Sequence, residues 1–92
     1  MTEHQKLGRV LNDFTGCGMY NAMKALELTD WDICDAADLL SASGDAVYRV
    51  NKDGSPMNLY DYAKAIKAGQ YRFTDRDCLK RFMADEMKQL KN

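Results

Sequence analysis

Proline, histidine and tryptophan each occur once in this chain, and no long apolar run interrupts its polar character. A membrane-spanning helix needs about 20 consecutive apolar residues, so we expect no transmembrane segment. The first nine residues, MTEHQKLGR, have no apolar stretch after their charges, so we expect no signal peptide. These absences predict a cytoplasmic protein that does not use a membrane.

Cysteine and histidine are also too scarce and too widely spaced to build a site. The three cysteines are Cys17, Cys34 and Cys78, and the only histidine is His4. From this spacing we expect neither a disulfide framework nor a zinc site. We expect the cysteines to be reduced thiols that pack as small hydrophobic side chains. With no catalytic constellation and no phosphate-binding glycine loop, we expect no cofactor, no metal and no enzymatic activity.

The charged residues are unevenly divided along the chain. Residues 1–44 hold three Lys/Arg against seven Asp/Glu, whereas residues 45–92 hold ten against seven. The totals agree with the net charge of −1. We interpret an acidic front half and a basic back half as two functional surfaces.

Apolar residues in the front half recur every three to four positions. This spacing predicts helices over roughly residues 4–14, 18–28 and 33–42. Gly16 can end the first helix in the left-handed conformation, and Asp32 is suited to cap the third. We therefore predict a compact bundle of three short helices.

The pattern changes in the back half, over residues 45–92. Alternating AVYRV predicts a short strand at 46–50, and QYRF predicts a second at 70–73. Helical spacing predicts a fourth helix capped by Asn58 and a fifth opened by Thr74. The expected fold is thus mainly α, with a strand–helix–strand–helix extension that is either separate or part of one core.

The stretch LNDFTGCGMYNAMKALELTDWDICDAADLL resembles the N-terminal domain of elongation factor Ts, a member of the ubiquitin-associated (UBA-like) three-helix group. The shared pattern is T-G-x-G-M, followed by A-L and D-I at matching offsets. The matching residues are Leu11, Thr15, Gly16, Gly18, Met19, Lys24, Ala25, Leu26, Asp32, Ile33 and Ala36. The resemblance implies a UBA-like domain in residues 1–44, followed by a small α+β extension.

The resemblance also implies a function. In elongation factor Ts, this domain contacts the GTP-binding domain of elongation factor Tu through apolar residues around the T-G-x-G-M loop. We therefore expect an adaptor or regulator that docks an elongation factor Tu-like GTPase or another host protein. From the small size and architecture of the chain, we expect a phage or mobile element to encode it. The implied contact residues, to which we add Trp31, are Gly16, Gly18, Met19, Tyr20, Leu39 and Leu40.

Three of these residues allow two interpretations. Met19 fits the apolar stripe of its helix as well as a contact surface. Tyr20 lies beside that stripe, and it either packs against the first helix at the start of the second or contacts a partner. Trp31 stands where the family carries a glycine, so we expect a reshaped turn there. Its ring is either a lid over the core or an exposed anchor. Nucleotide exchange is not implied, because the T-D-F-V stretch of the family has no counterpart.

A second class of function, nucleic-acid binding, stays open for the back half. Cations release counterions from phosphates and aromatic rings stack on bases, and both residue types occur between positions 62 and 81. The alternative is that these cations are the solvated faces of amphipathic helices. The candidate residues are Lys64, Lys67, Tyr71, Arg72, Arg76, Lys80 and Arg81.

Overall fold

The computed structural model describes residues 1–43, 58–70 and 72–90, and the regular elements within these ranges are helices. They are α1 (Glu3–Thr15), α2 (Met19–Leu28), α3 (Ile33–Ser43), α4 (Leu59–Lys67) and α5 (Arg76–Gln89). The three helices predicted in the front half are confirmed with ends displaced by about one residue, which is within the usual uncertainty of helix boundaries. None of the helices in these ranges is both long and apolar enough to cross a membrane.

The prediction of an α+β extension is wrong, because the back half contains no strand in its described residues. Two of the backbone N–H groups described at the predicted strand 70–73 donate to acceptors that do not belong to a strand. The N–H of Gln70 donates to the carbonyl of Ala65 at 3.0 Å, and the N–H of Phe73 donates to Asp38 at 3.0 Å. The other predicted strand, 46–50, lies outside the described residues.

Local capping interactions fix most helix ends. Gly16 ends α1 with φ +70°, as predicted, and Asp32 accepts the N–H of Asp35 at 3.0 Å to cap α3. Asn58 caps α4 as predicted by accepting the N–H of Asp61 at 2.8 Å. For α5 the predicted cap is wrong by one residue, since Asp75 rather than Thr74 accepts the first-turn N–H.

One apolar cluster receives buried side chains from all five helices. Alanines at the contacts between helices, such as Ala22 and Ala36, are fully buried and allow the backbones to approach closely. The largest buried apolar side chains are Val10, Leu11, Leu26, Leu39, Tyr62, Ile66 and Leu79. Residues from both predicted halves, 1–44 and 45–92, therefore share this core.

Ion pairs join the acidic front to the basic back. Arg76 donates to Asp38 at 2.8 Å and to Asp35 at 3.0 Å, and Lys67 lies 3.3 Å from Asp30. Two of the cations that we interpreted as part of a separate functional surface are therefore engaged within the molecule. For these residues, the charge asymmetry of the sequence contributes to packing the two halves together.

Candidate partner-binding surface

The loop between α1 and α2 is built around two glycines with positive φ. Gly16 has φ +70° and ψ 21°, and its N–H donates to the carbonyl of Asn12 at 2.7 Å. Gly18 has φ +92° and ψ 148°, a combination that is strained for any residue with a Cβ. The T-G-x-G spacing thus produces a sharp reversal that places the start of α2 beside the end of α1.

Two asparagines that the sequence analysis missed hold this loop. The side-chain oxygen of Asn12 accepts the N–H of Gly18 at 2.8 Å. The side-chain nitrogen of Asn21 donates to the carbonyl of Cys17 at 2.8 Å. Asparagine side chains readily form hydrogen bonds with nearby backbone groups. The two asparagines that flank the glycine pair could therefore have predicted these hydrogen bonds.

Met19 and Tyr20 project from the first turn of α2. The Tyr20 side chain is 81% exposed, the highest exposure among the large apolar and aromatic residues described, and Met19 is 41% exposed. Met19 also packs on α1. Its terminal methyl lies close to Gly8, 3.4 Å from the position that a Cβ on this glycine would occupy. Met19 is therefore both a packing residue and a surface residue, while Tyr20 lies almost entirely in solvent.

Beside this loop, the outer face of α1 forms an open concavity of about 430 Å³. Its apolar lining residues are Met1 and Met19, and the other lining residues are polar or charged. The lining residues are Met1, Gln5, Arg9, Asn12, Asp13 and Met19. Arg9 and Asp13 pair within it at 3.3 Å, so their charges offset each other.

The turn before α3 has a left-handed backbone at two residues that are not glycine. Asp30 has φ +56° and Trp31 has φ +65°, and the N–H of Trp31 donates to the carbonyl of Leu26 at 2.8 Å. Trp31 thus adopts a positive φ that glycine tolerates at lower cost. Its indole stacks on the imidazole of His4 with ring centroids 3.7 Å apart and planes 2° from parallel.

Trp31 combines features of the two roles that the sequence allowed, a lid over the core and an exposed anchor. The indole is half-buried, packs against the core and is covered on one face by His4. Leu40 is also half-buried, whereas Leu39 is 1% exposed and belongs to the core. Leu39 is thus withdrawn from the contact residues, because its side chain does not reach the surface.

The basic residues between positions 62 and 81 differ in their contacts within the molecule. Lys67 and Arg76 pair with aspartates, as described above. Lys64 is exposed and lies 5.0 Å from the ring centroid of Tyr60, in cation–π range. Lys67 is exposed although it is paired, and the other exposed cations of the predicted set are Arg72, Lys80 and Arg81. Tyr71 lies outside the described residues.

The Arg76 pairs also shape the electrostatics around α3. Burial alone would lower the pKa of Arg76, but its hydrogen bond to Asp35 and the charge of Asp38 outweigh that effect and raise it. Burial raises the pKa of the neighbouring Cys34 thiol despite the opposing charge of Arg76. Both groups therefore stay in their usual protonation states at neutral pH, which suits a structural role.

The three cysteines are free thiols. Over residues 1–43, 58–70 and 72–90, no group of three or more Cys, His, Asp or Glu side chains is arranged to hold a metal ion. Comparison of the chain with models of protein families, with characterised proteins and with solved structures found no match.

Proposed function

We propose that this protein is a non-catalytic interaction module that docks a protein partner through the loop between α1 and α2. The observation that carries the proposal is the exposure of Tyr20, which is 81% in solvent on the first turn of α2, directly after a loop fixed by its own hydrogen bonds. Tyrosine is enriched among residues that dominate binding energy. A rigid loop also loses less conformational entropy on binding than a mobile one.

The surroundings of Tyr20 favour a protein over a small molecule as the partner. Its ring is largely exposed on the first turn of α2, next to Met19 in the chain, so it is suited to entering a pocket on another surface. Small-molecule sites, in contrast, are concave and mostly apolar, and they enclose most of the ligand. The proposed contact residues are Gly16, Gly18, Met19, Tyr20, Trp31 and Leu40.

The resemblance to elongation factor Ts makes the GTP-binding domain of elongation factor Tu the first partner to test. We would titrate that domain into the protein by isothermal calorimetry. Tyr20→Asp should abolish binding, because it removes the aromatic anchor and adds a charge that is costly to bury. Tyr60→Asp is the matched control, since Tyr60 is another exposed tyrosine, 60% in solvent, on α4.

The titration separates two versions of the proposal. If elongation factor Tu does not bind, the partner is another protein, and capture from a lysate with wild type and both variants becomes the test. A partner lost with Tyr20→Asp and kept with Tyr60→Asp supports the loop. A partner captured equally by all three proteins contradicts the loop as the docking site.

Nucleic-acid binding by the back half is the second candidate. It is favoured by the Lys64–Tyr60 pair, which presents a cation and an exposed ring together. It is weakened by the internal ion pairs of Lys67 and Arg76. Affinity for a labelled single strand should fall steeply as salt increases, and Lys64→Glu should reduce it. Undetectable binding at low salt would eliminate this candidate.

A further inference from the structure

The concavity on the outer face of α1 is continuous with the loop that precedes Tyr20. Asn12 lines the concavity, and its side-chain oxygen also accepts the N–H of Gly18 in the loop at 2.8 Å. Met19 lines the concavity as well and directly precedes Tyr20 in the chain. A partner that docks on Tyr20 therefore has about 430 Å³ of open space beside it, into which a neighbouring part of the same partner fits.

Two side-chain amides of the concavity have their oxygens engaged within the molecule. The Oε1 of Gln5 accepts the backbone N–H of Thr2 at 2.9 Å, within the capping box of α1. The Oδ1 of Asn12 accepts the N–H of Gly18 at 2.8 Å. The oxygen and the NH₂ group of an amide belong to one planar unit, so a hydrogen bond to the oxygen also decides where the nitrogen lies. Local structure therefore holds both NH₂ groups in place.

These NH₂ groups and the guanidinium between them form a row of donors. In the described part of the chain, the amide nitrogens of Gln5 and Asn12 donate no hydrogen bond. Arg9 donates from its Nε to Asp13 at 3.3 Å, and its two terminal nitrogens donate none within the same residues. Gln5, Arg9 and Asn12 are spaced i, i+4 and i+7, so they share one face of α1. Water supplies their acceptors in the free protein, and a partner that displaces this water must replace them.

The spacing of the donors suits an extended peptide. Gln5 and Arg9 are about 6 Å apart along the helix axis. On one edge of an extended segment, carbonyl groups recur every second residue, at about 6.5 Å. A helix laid in the concavity would satisfy its own carbonyls and leave the row of donors without acceptors. An extended segment of about four residues, in contrast, spans the length from Gln5 to Asp13 and has carbonyls to offer.

The charges and the shape of the concavity disfavour other ligands. Arg9 and Asp13 are the charged side chains that line it, and they offset each other at 3.3 Å. A nucleic acid, whose affinity depends on unpaired cations, therefore gains little there. An open concavity also encloses too little of a small molecule. Met1 and Met19 add flexible apolar surface that adapts to side chains of varied shape.

We propose that the concavity binds an extended segment of the docked partner, whose backbone carbonyls accept hydrogen bonds from Gln5, Arg9 and Asn12. Apolar side chains of that segment pack on the two methionines. The inference rests on the proposed function, because it assigns a second part of the same partner's contact. Tyr20 supplies an anchor, and the outer face of α1 holds a stretch of backbone beside it.

Two isosteric substitutions remove donors and keep the local structure. Gln5→Glu retains an oxygen for the N–H of Thr2, and Asn12→Asp retains one for Gly18. Each change replaces an NH₂ donor with a carboxylate oxygen, which repels a carbonyl, so each should weaken peptide binding at least about tenfold. Gln89→Glu, at an exposed position on α5 that does not line the concavity, adds the same charge and should bind as wild type.

The probe is a library of random short peptides displayed on phage and selected on the wild-type protein. Affinities of the selected peptides would be measured by fluorescence polarisation for wild type, the two donor variants and Gln89→Glu. Nuclear magnetic resonance of the wild-type protein gives a second readout that does not depend on how well a variant folds. The side-chain NH₂ signals of Gln5 and Asn12 should shift when a selected peptide binds.

The outcomes separate this inference from the docking of Tyr20. Peptides that lose affinity for both donor variants and keep it for Gln89→Glu support the inference, including when they bind Tyr20→Asp as they bind wild type. A library that yields no binder, binders with equal affinity for wild type and both donor variants, or NH₂ signals of Gln5 and Asn12 that do not shift would overturn it. Those results leave the docking of Tyr20 to its own titration.

Discussion

Arg76 on α5 donates a hydrogen bond of 2.8 Å to the carboxylate of Asp38 on α3, which is 0% exposed. The same carboxylate accepts the backbone N–H groups of Phe73 and Thr74 at 3.0 and 2.8 Å. Asp38 therefore accepts hydrogen bonds from one guanidinium nitrogen of Arg76 and from two amides of the segment that opens α5. The buried charge of Asp38 is tolerated because each of these hydrogen bonds helps to replace the water that the carboxylate loses on burial.

Replacing Asp38 with alanine should strongly destabilise the fold. The change leaves the Arg76 charge and two amides without this acceptor, and breaking a buried pair costs about 3–5 kcal/mol. Urea denaturation followed by circular dichroism measures the free energy of unfolding. Arg81→Ala, at an exposed cation of the same helix, should change it by less than about 0.5 kcal/mol. An Asp38→Ala protein as stable as Arg81→Ala would show that the network contributes little.

Gly18→Ala should cost more stability than Gly16→Ala. A Cβ at either glycine meets nothing within 4 Å, so the difference isolates backbone strain. Gly16 has a left-handed conformation that alanine adopts for about 1–2 kcal/mol. The φ and ψ of Gly18 are nearly exclusive to glycine, at the upper end of about 1–3 kcal/mol. Comparing the two variants in urea checks this order, and the reverse order would contradict the loop geometry.

The His4–Trp31 stack can be followed by fluorescence, because Trp31 is the single tryptophan. His4→Ala should expose one indole face, shift the emission to longer wavelength and increase acrylamide quenching. His4→Phe should preserve the stack, which is worth about 0.5–1.5 kcal/mol for an aromatic pair. Identical quenching of His4→Ala and wild type would mean that the rings are not stacked in solution.

The three thiols should differ in reactivity. Cys34 is 4% exposed and burial raises the pKa of its thiol, so little reactive thiolate forms. We expect iodoacetamide to modify Cys34 at least about tenfold more slowly than Cys17 or Cys78 in the folded protein. Peptide mapping by mass spectrometry identifies each site. Unfolding in urea should make all three react alike, and fast labelling of Cys34 without urea would contradict its burial.

The helices of the front half could be predicted because their signals are local. Apolar residues three and four positions apart lie on one helix face whatever surrounds them. Gly16 and Asp32 act within one turn of their own position, so their roles as helix end and helix cap were also readable. The exposure of Tyr20 followed the same logic, since it stands beside the apolar stripe rather than on it.

Two of the predictions that are wrong concern interactions from distant parts of the chain. Residues 70–73 have strand-like composition, yet the N–H of Phe73 goes to Asp38, which lies 35 positions earlier. The exclusion of Leu39 from the surface has a similar origin, because helices of the back half join the core to which it belongs. Short-range patterns carry no information about either contact.

The positions of the front-half helices and of the glycine loop could be read from the sequence, because backbone preference and apolar spacing act over a few residues. The pairing of Arg76 and Lys67 with front-half aspartates, and the cover that His4 gives Trp31, depend instead on the tertiary structure. Such pairs depend on how the helices pack, and packing is decided by the summed burial of many side chains. Residue type alone leaves the partner of each charge undetermined.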